Sequence, residues 1–343
     1  MIPHDALFKA VFSEAENAVI LFRQFLPPAL VEALDLARAE HIVGSFVDDA
    51  LKDQHTDVLY KIPWRDPLAD LASKPESELE AEPEAEPEPQ PEAEAEAEPE
   101  DDFIYVLFEH QSTVNLLMPY RMHRYSVKIW DQWFKDHDDA RYLPPLFPLV
   151  LYHGERPWKA STELSKLFDG PHLVAEIRTA FHLHLPQLQI LLWDLADLPD
   201  DDLPGSGVVR ITLFLFKHGR KANILKLLTA RLDDFHLEVA RGSPGLQNIT
   251  RVINYISEVN EHVSDEAIEA FVAPLGDEAR EITMTLAERH RQEGLQKGLQ
   301  KGLQEKQKSL QAVAQKLIDQ GMSVAQVAEI TELPLEDVQA LLH

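Results

Sequence analysis

The chain contains no cysteine among its 343 residues. Disulfides, thiolate metal centres and a cysteine nucleophile are therefore excluded, and chemistry has to come from carboxylates, imidazoles, hydroxyls and amides. No run approaches the ~18 consecutive apolar residues that cross a bilayer, and the opening MIPHDALFKAVF lacks a basic stretch followed by an apolar one. A soluble, non-secreted, cytoplasmic protein with no membrane partner is expected. Basic residues are scarce: 32 Lys and Arg stand against 59 Asp and Glu, for a formal net charge of −27. Non-specific nucleic-acid affinity comes mostly from Lys and Arg displacing counterions, so this balance at first argues against a polyanionic ligand. What the chain does have is apolar material. Its 45% hydrophobic content supports a folded core, and its length suits two domains or one large domain with appendages.

The negative charge is localised. Residues 75–102, PESELEAEPEAEPEPQPEAEAEAEPEDD, hold 12 Glu, 2 Asp and no basic residue, which leaves −13 for the rest of the chain. Six prolines and one leucine cannot bury enough apolar area to offset the entropy of ordering, so a disordered loop is expected. An acidic shield over a basic site is the functional alternative to a tolerated insertion, because loops lengthen at little thermodynamic cost. The flanks HTDVLYKIPW and FIYVLFEHQS are apolar and β-branched or aromatic. The tract is thus read as inserted between two strands of one sheet rather than as a domain boundary.

Residues 4–25 place Leu7, Phe8, Val11, Phe12, Val19, Phe22 and Phe25 at helical spacing, and Pro27-Pro28 is expected to stop that helix. Strands are expected at 41–47, 57–62, 103–108, 145–154 and 188–195, with a helix at about 119–135 between the third and fourth. Helix and strand order together predict a mixed α/β sheet with helices packed on it. After Leu203 the pattern is helical. The repeat EGLQKGLQKGLQ (293–304) reads as a helical connector, and the last 35 residues read as three short amphipathic helices resembling a helix-turn-helix. The second and third of these carry Glu329, Glu332, Glu336 and Asp337 and no Lys or Arg, so protein docking or self-association is preferred there over DNA reading. The expected division is an α/β core over 1–200, a helical subdomain over 201–290, and a connector with its tail over 291–343.

Chemistry concentrates at the strand ends. Period-two geometry puts Glu109 and Gln111 on one face and the His110 side chain on the other. If the second and third strands are hairpin neighbours, Asp57 meets Glu109 across them. Two carboxylates at that distance repel unless a cation lies between them, and hard oxygen ligands suit Mg2+, with Mn2+ or Ca2+ as alternatives. Such a metal polarises a phosphoryl oxygen and generates the attacking hydroxide, which makes phosphodiester hydrolysis the natural reaction. Among other candidates, Asp5 and Lys9 form an i,i+4 pair or edge the site. The pair His182 and His184 in FHLHL is read as a surface strand, and Tyr152-His153-Gly154 as a turn closing a strand.

In order along the chain, HDALFKAVF, TDVLY, FIYVLFEHQS, MPYRMHRYSVKIW, PLVLYHGERPW, LLWDLADLPDDDL, the GLQK repeats and GMSVAQVAEITELPLEDVQALL resemble the motifs of the recombination-promoting nuclease and YhgA-like transposase family. That family lies in the PD-(D/E)XK superfamily. The resemblance implies a restriction-endonuclease-like α/β core with a helical C-terminal extension, and a metal-dependent DNA endonuclease linked to recombination, transposition or mobile-element defence. Carried over by position, the superfamily's aspartate falls on Asp57, its second acid on Glu109, its lysine position on Gln111, and its ligating backbone carbonyl on His110. Thr56 replaces the motif's proline and Gln111 its lysine. A glutamine amide can donate a hydrogen bond but supplies no charge. The missing cation is expected from Lys61, Arg121 or Arg124, and Lys61, Arg121, Arg124 and Lys128 are the candidates for contacts to the DNA backbone.

Two function classes follow. The first is the Mg2+-dependent endonuclease; the second is a catalytically inactive protein that keeps the nuclease fold and acts through residues 290–343, as a homo-oligomer or with a regulatory partner.

Overall fold

The computed structural model describes residues 3–43, 58–65, 102–168, 180–181 and 184–341. Asp57, Thr56, His182 and the acidic tract up to residue 101 lie outside the described residues. The chain divides into two compact units, Met1–Ala279 and Arg280–His343.

The first unit is built on a five-stranded mixed sheet whose spatial order follows the chain: β1 (Glu40–Ile42), β2 (Val58–Pro63), β3 (Phe103–Gln111), β4 (Leu146–Tyr152) and β5 (Leu191–Asp194). The pairs β1–β2 and β2–β3 are antiparallel, whereas β3–β4 and β4–β5 are parallel. The strand β2 runs beside β3 with Pro63 opposite Phe103, and the Trp64 N–H donates to the Asp102 carbonyl at 2.9 Å. The acidic tract is therefore an insertion between two neighbouring strands of one sheet, as the flanking sequence predicts. Nearly every residue of β2 and β3 is buried, the mark of strands covered on both faces.

One face is covered by α1 (Pro3–Phe12) and α2 (Ala15–Phe25), where Phe8, Phe12 and Phe22 pack their rings on Phe108, and Phe22 also meets Tyr60 edge-on. Each ring is fully buried, worth about 2 kcal/mol apiece. The Tyr60 hydroxyl donates to the Phe12 carbonyl at 2.6 Å, so the polar end of that ring is satisfied as well. The single helix expected over 4–25 is broken at Ser13-Glu14. The amide of Asn17 reaches the Val11 carbonyl at 2.9 Å, and the chain turns there to wrap α1 and α2 around the same cluster. Pro27-Pro28 ends α2 as expected, but Pro28 also opens the short helix α3 (Pro28–Ala33), because proline fits the first helical position without losing a hydrogen bond. The first strand is shorter than the 41–47 expected, ending at Ile42, with residues 44–47 outside the described residues.

The other face is covered by α4 (Met118–Asp136), which buries Met118, Met122, Tyr125 and Ile129 against Leu59, Leu107 and Val150. These four residues follow the three- and four-residue spacing of one helical stripe. The FHLHL segment does not supply a strand at His184, which sits in a turn closed by its own N–H on the Phe181 carbonyl at 2.8 Å. Downstream come α5 (Gly207–His218), α6 (Ile224–Leu228), α7 (Leu232–Ala240), α8 (Ser243–Val259) and α9 (Asp265–Val272). The helical pattern after Leu203 is thus realised. These helices reach the N-terminal helix: the Tyr255 hydroxyl on α8 is 2.7 Å from the His4 imidazole on α1.

The second unit begins within α10 (Asp277–Asp319), which carries the glycine-containing repeat without interruption, and continues into α11 (Val324–Thr331) and α12 (Leu335–Ala340). Ser323 and Gln326 form a reciprocal cap at the start of α11, Pro334 precedes α12, and Ala314, Val327, Leu333 and Val338 make a small core. Leu299 is exposed, and the side chains of Leu295 and Leu303 are not among those described.

Candidate functional site

The C-terminal end of β3 carries Glu109-His110-Gln111, and alternation sends these side chains to opposite faces. Glu109 is wholly buried on the face covered by α4. Arg121, one turn into that helix, donates from Nη2 to Glu109 Oε1, and the same guanidinium donates from Nε to the Tyr125 hydroxyl at 2.9 Å. Gln111 Nε2 lies 2.5 Å from Glu109 Oε1 and 2.9 Å from the His110 carbonyl. A guanidinium from the next helix thus reaches the buried carboxylate, and the glutamine amide bridges the two oxygen donors.

The start of β2 lies beside this point. Val58 is paired with Phe108, the residue preceding Glu109. Asp57 itself, the other carboxylate expected from the sequence, is outside the described residues. Lys61 is further along the sheet, opposite Tyr105, with its ammonium 4.2 Å from the centre of the Phe103 ring. Arg124 is exposed and stacks near the Tyr120 ring at 5.9 Å, while Lys128 is half-buried on the same helix. Of the four cations considered, the structure brings Arg121 to the carboxylate.

The other face of the strand tip is imidazole-rich. His110 is buried; it stacks on Phe8 and on His153, and its Nε2 lies 2.6 Å from His153 Nε2. The His153 Nδ1 is 3.1 Å from the Phe216 carbonyl. A carbonyl only accepts, so Nδ1 carries the proton, and the neutral ring offers its Nε2 lone pair to an N–H of His110. His110 Nδ1 faces Asp5 at 3.6 Å, which gives Asp5 a role beyond its own helix. Burial holds both imidazoles below the usual histidine range, helped at His153 by the neighbouring His110 and opposed at His110 by Asp5. His4 completes the group and is pushed down to about 4, by burial first and then by His110 and Arg220. His153 is therefore more than the end of a turn, and the His110 imidazole points away from Glu109 as expected. The sequence signal for this cluster is faint: His4 and His153 each stand beside apolar runs, but 149 positions separate them.

Among the described residues no group of three or more His, Asp or Glu is arranged to hold a metal ion. The oxygen donors at the strand tip, a carboxylate and the adjacent main-chain carbonyl, are nevertheless of the kind a hard cation takes. Also among the described residues, no helix is long and apolar enough to cross a membrane.

A mixed α/β sheet with a buried glutamate held at the end of its central strand is the framework on which the sequence comparisons bear. The profile of the family described as "Putative transposase, YhgA-like" matches residues 2–68 and 95–241, and the chain belongs to this family. The gap in that match, residues 69–94, overlaps the acidic insertion. The chain is 27% identical over 342 residues to the protein named Recombination-promoting nuclease RpnA of Escherichia coli (strain K12), covering 98% of this chain and 96% of that protein. It is 28% identical over 291 residues to Recombination-promoting nuclease RpnD of Escherichia coli O157:H7, covering 84% and 93%. It is also 25% identical, over 98% and 96% of the two chains, to a protein named Inactive recombination-promoting nuclease-like protein RpnE of Escherichia coli (strain K12). No solved structure matches.

Proposed function

We propose that this protein is a metal-dependent DNA endonuclease of the PD-(D/E)XK type. The observation that carries the reading is Glu109: a wholly buried carboxylate at the end of the central strand, engaged by Arg121 and Gln111, in a chain akin to proteins named as nucleases. Burying a carboxylate is costly unless it is paired, and Arg121 and Gln111 both contribute to that pairing. Asp57 immediately precedes Val58 in the sequence, and Val58 pairs with Phe108, the neighbour of Glu109. In this reading Asp57, Glu109 and the His110 carbonyl hold Mg2+, with Mn2+ or Ca2+ as substitutes. The chemistry supplied at that position is polarisation of a phosphoryl oxygen and a lowered pKa for a bound water. Gln111 holds Glu109 in place, and its amide positions water or a phosphate oxygen. Arg121 neutralises charge building on the phosphorane, and the exposed Arg124 with Lys128 contacts the DNA backbone without reading sequence.

The experiment is cleavage of plasmid DNA by purified protein with Mg2+ or EDTA. Nicking should require the metal and disappear in Asp57→Ala and in Glu109→Gln while circular dichroism stays unchanged. Gln111→Ala should keep metal affinity and lose rate, and Gln111→Lys should retain activity. Wild-type cutting by either carboxylate variant would refute the assignment.

A second reading draws on one observation, that Arg121 already occupies Glu109 Oε1. In this reading the pair is a structural clasp, and the chain acts as an inactive nuclease fold through residues 290–343. It predicts no cleavage under any metal and a Glu109→Gln variant that alters stability alone.

A further inference from the structure

We propose that the cavity outside the C-terminal ends of the parallel strands, on the side of the sheet opposite Glu109, binds a phosphomonoester of mononucleotide size. The cavity measures about 470 Å3 and opens beside Ser112, His153 and Leu195, residues that immediately follow β3, β4 and β5. Crevices at the carboxyl ends of parallel strands are the favoured ligand position in open α/β sheets, and this volume accepts a small organic ligand.

Its inventory is rich in donors. Arg220 Nη2 lies 3.0 Å from His4 Nε2, and since arginine has no lone pair to offer, that nitrogen of His4 must accept. The His4 proton is then on Nδ1, 2.7 Å from the Tyr255 hydroxyl oxygen, which leaves the Tyr255 proton available to donate. Tyr255 is buried on the cavity wall, and burial raises its pKa, so the phenol stays protonated. Ser112 adds a hydroxyl, and Lys217, Arg220 and Lys221 add cations in a chain that is otherwise strongly acidic. The lone carboxylate on the wall, Glu155, faces Arg220 at 3.6 Å and is 82% exposed at the rim, so this pair is open to solvent and to exchange for an anionic ligand.

The last-turn carbonyls of α5 are already met by other donors and do not take the Lys221 ammonium. The Leu215 carbonyl there accepts from the Gly219 N–H, the Phe216 carbonyl from His153, and the His218 carbonyl from the Lys221 N–H. Lys217 is committed to Asp200 and the Leu198 carbonyl, but Lys221 forms no ion pair among the described residues. Gly219 forms the floor: a side chain there would meet the Leu215 carbonyl at 2.7 Å and the Tyr255 ring at 3.1 Å. Leu195, Leu215 and Phe216 add apolar lining for a base or sugar. A ligand with an acceptor-only anionic end and an apolar body matches this arrangement, and a phosphate ester is that ligand.

The test is calorimetric titration of the full chain with deoxyadenosine 5′-monophosphate, with deoxyadenosine, and with a short oligonucleotide bearing either a 5′-phosphate or a 5′-hydroxyl. Saturable binding of a phosphorylated ligand and none of deoxyadenosine is expected. Binding of the mononucleotide indicates a free nucleotide as the natural source, and binding of the 5′-phosphate strand alone indicates a strand end. Exposed Lys221→Glu should weaken that binding by about tenfold or more, the scale of one charge-assisted hydrogen bond. Arg220→Gln should weaken it as well, while Glu109→Gln should leave it unchanged. That last variant separates this site from the nuclease reading. Absence of saturable binding by every phosphorylated probe, equal binding of deoxyadenosine, or an unaltered affinity in Lys221→Glu would overturn the proposal.

Discussion

Removing the Arg121 guanidinium is the sharpest perturbation of the strand tip. Arg121 is 17% exposed and its partner Glu109 not at all, so neither charge is fully screened by water. Breaking one side of a buried ion pair typically costs 3–5 kcal/mol, because the remaining charge is left without compensation. Gln111 still donates to the same oxygen at 2.5 Å, which places Arg121→Met near the lower end, about 3 kcal/mol. At roughly 2–4 °C per kcal/mol for a domain of 150–250 residues, the melting temperature should fall by about 6–12 °C. Glu109→Gln removes the charge that needed the guanidinium, so the double variant should lose less than the sum of the single losses, by about 2 kcal/mol. Urea unfolding of the four proteins, followed by circular dichroism, measures that coupling. If a metal binds at Glu109, adding Mg2+ at a hundred times its dissociation constant stabilises by about 2.7 kcal/mol, and the gain should be lost in Glu109→Gln. An Arg121→Met variant melting within about 1 °C of wild type, with additive losses in the cycle, would refute the account of a buried carboxylate that depends on its guanidinium.

Other expectations can be measured alongside. The folded-state pKa of His4 is lowered from 6.5 to about 4, in an environment set by His110, His153, Arg220, Asp5 and Tyr255. The unfolded chain therefore binds the extra proton first: the stability this neutral histidine provides is complete above pH 6.5 and is lost as pH falls toward 4, by about 3 kcal/mol in all. In His4→Gln the decline of the urea midpoint between pH 7 and pH 4.5 should be visibly shallower, and an unchanged slope would contradict the assignment. Deleting residues 76–100 should leave the melting temperature nearly unchanged, since shortening a loop alters closure entropy only logarithmically, and a collapse in stability would mean that the tract contributes packing. Ending the chain after Glu288 removes most of the second unit and should lower the oligomeric mass in light scattering while preserving metal-dependent cleavage. A salt slope of DNA binding reduced by several units would instead make the tail the DNA-reading element.

The central part of the fold was legible because burial leaves a strong mark on a sequence. The run Phe103–Phe108 has no polar interruption, which is what a strand covered on both faces requires, and the polar triplet after it, still buried at Glu109 and His110, marks where chemistry replaces packing. The hairpin of β2 and β3 could be inferred across the acidic tract because the tract has too little apolar material to be anything but an insertion. The break at Ser13-Glu14 was hidden, since the apolar spacing of α1 and α2 stays in phase across it. Local pattern finds but overextends strands only three or four residues long, as in β1 and β5. At the site, Glu109 and Gln111 could be read from period-two alternation, but the choice of Arg121 over Lys61 could not. Both are cations near an acid in the sequence. Only the packing of α4 on Leu107 and Val150 decides which one arrives. Contacts between residues more than 200 positions apart, such as Arg220 with His4, leave no local trace.

The strand tip itself explains why the two proposed sites can share so little sequence. In an extended chain, neighbouring residues face opposite ways, so Glu109 and Gln111 address α4 while His110 addresses α1 and α5. The main chain is common to both: the His110 carbonyl accepts the Gln111 amide on one side while its imidazole rests on His153, a wall of the cavity, on the other. The His110 ring is fixed by Phe8, His153 and Phe216, so its carbonyl is fixed as well, and the oxygen donors beside Glu109 inherit their position from aromatic packing on the far face. His110 therefore acts on Glu109 as a positioning residue, through the backbone. A substitution that keeps the ring, such as His110→Phe, should preserve the donor geometry better than His110→Ala, even though neither side chain touches the carboxylate.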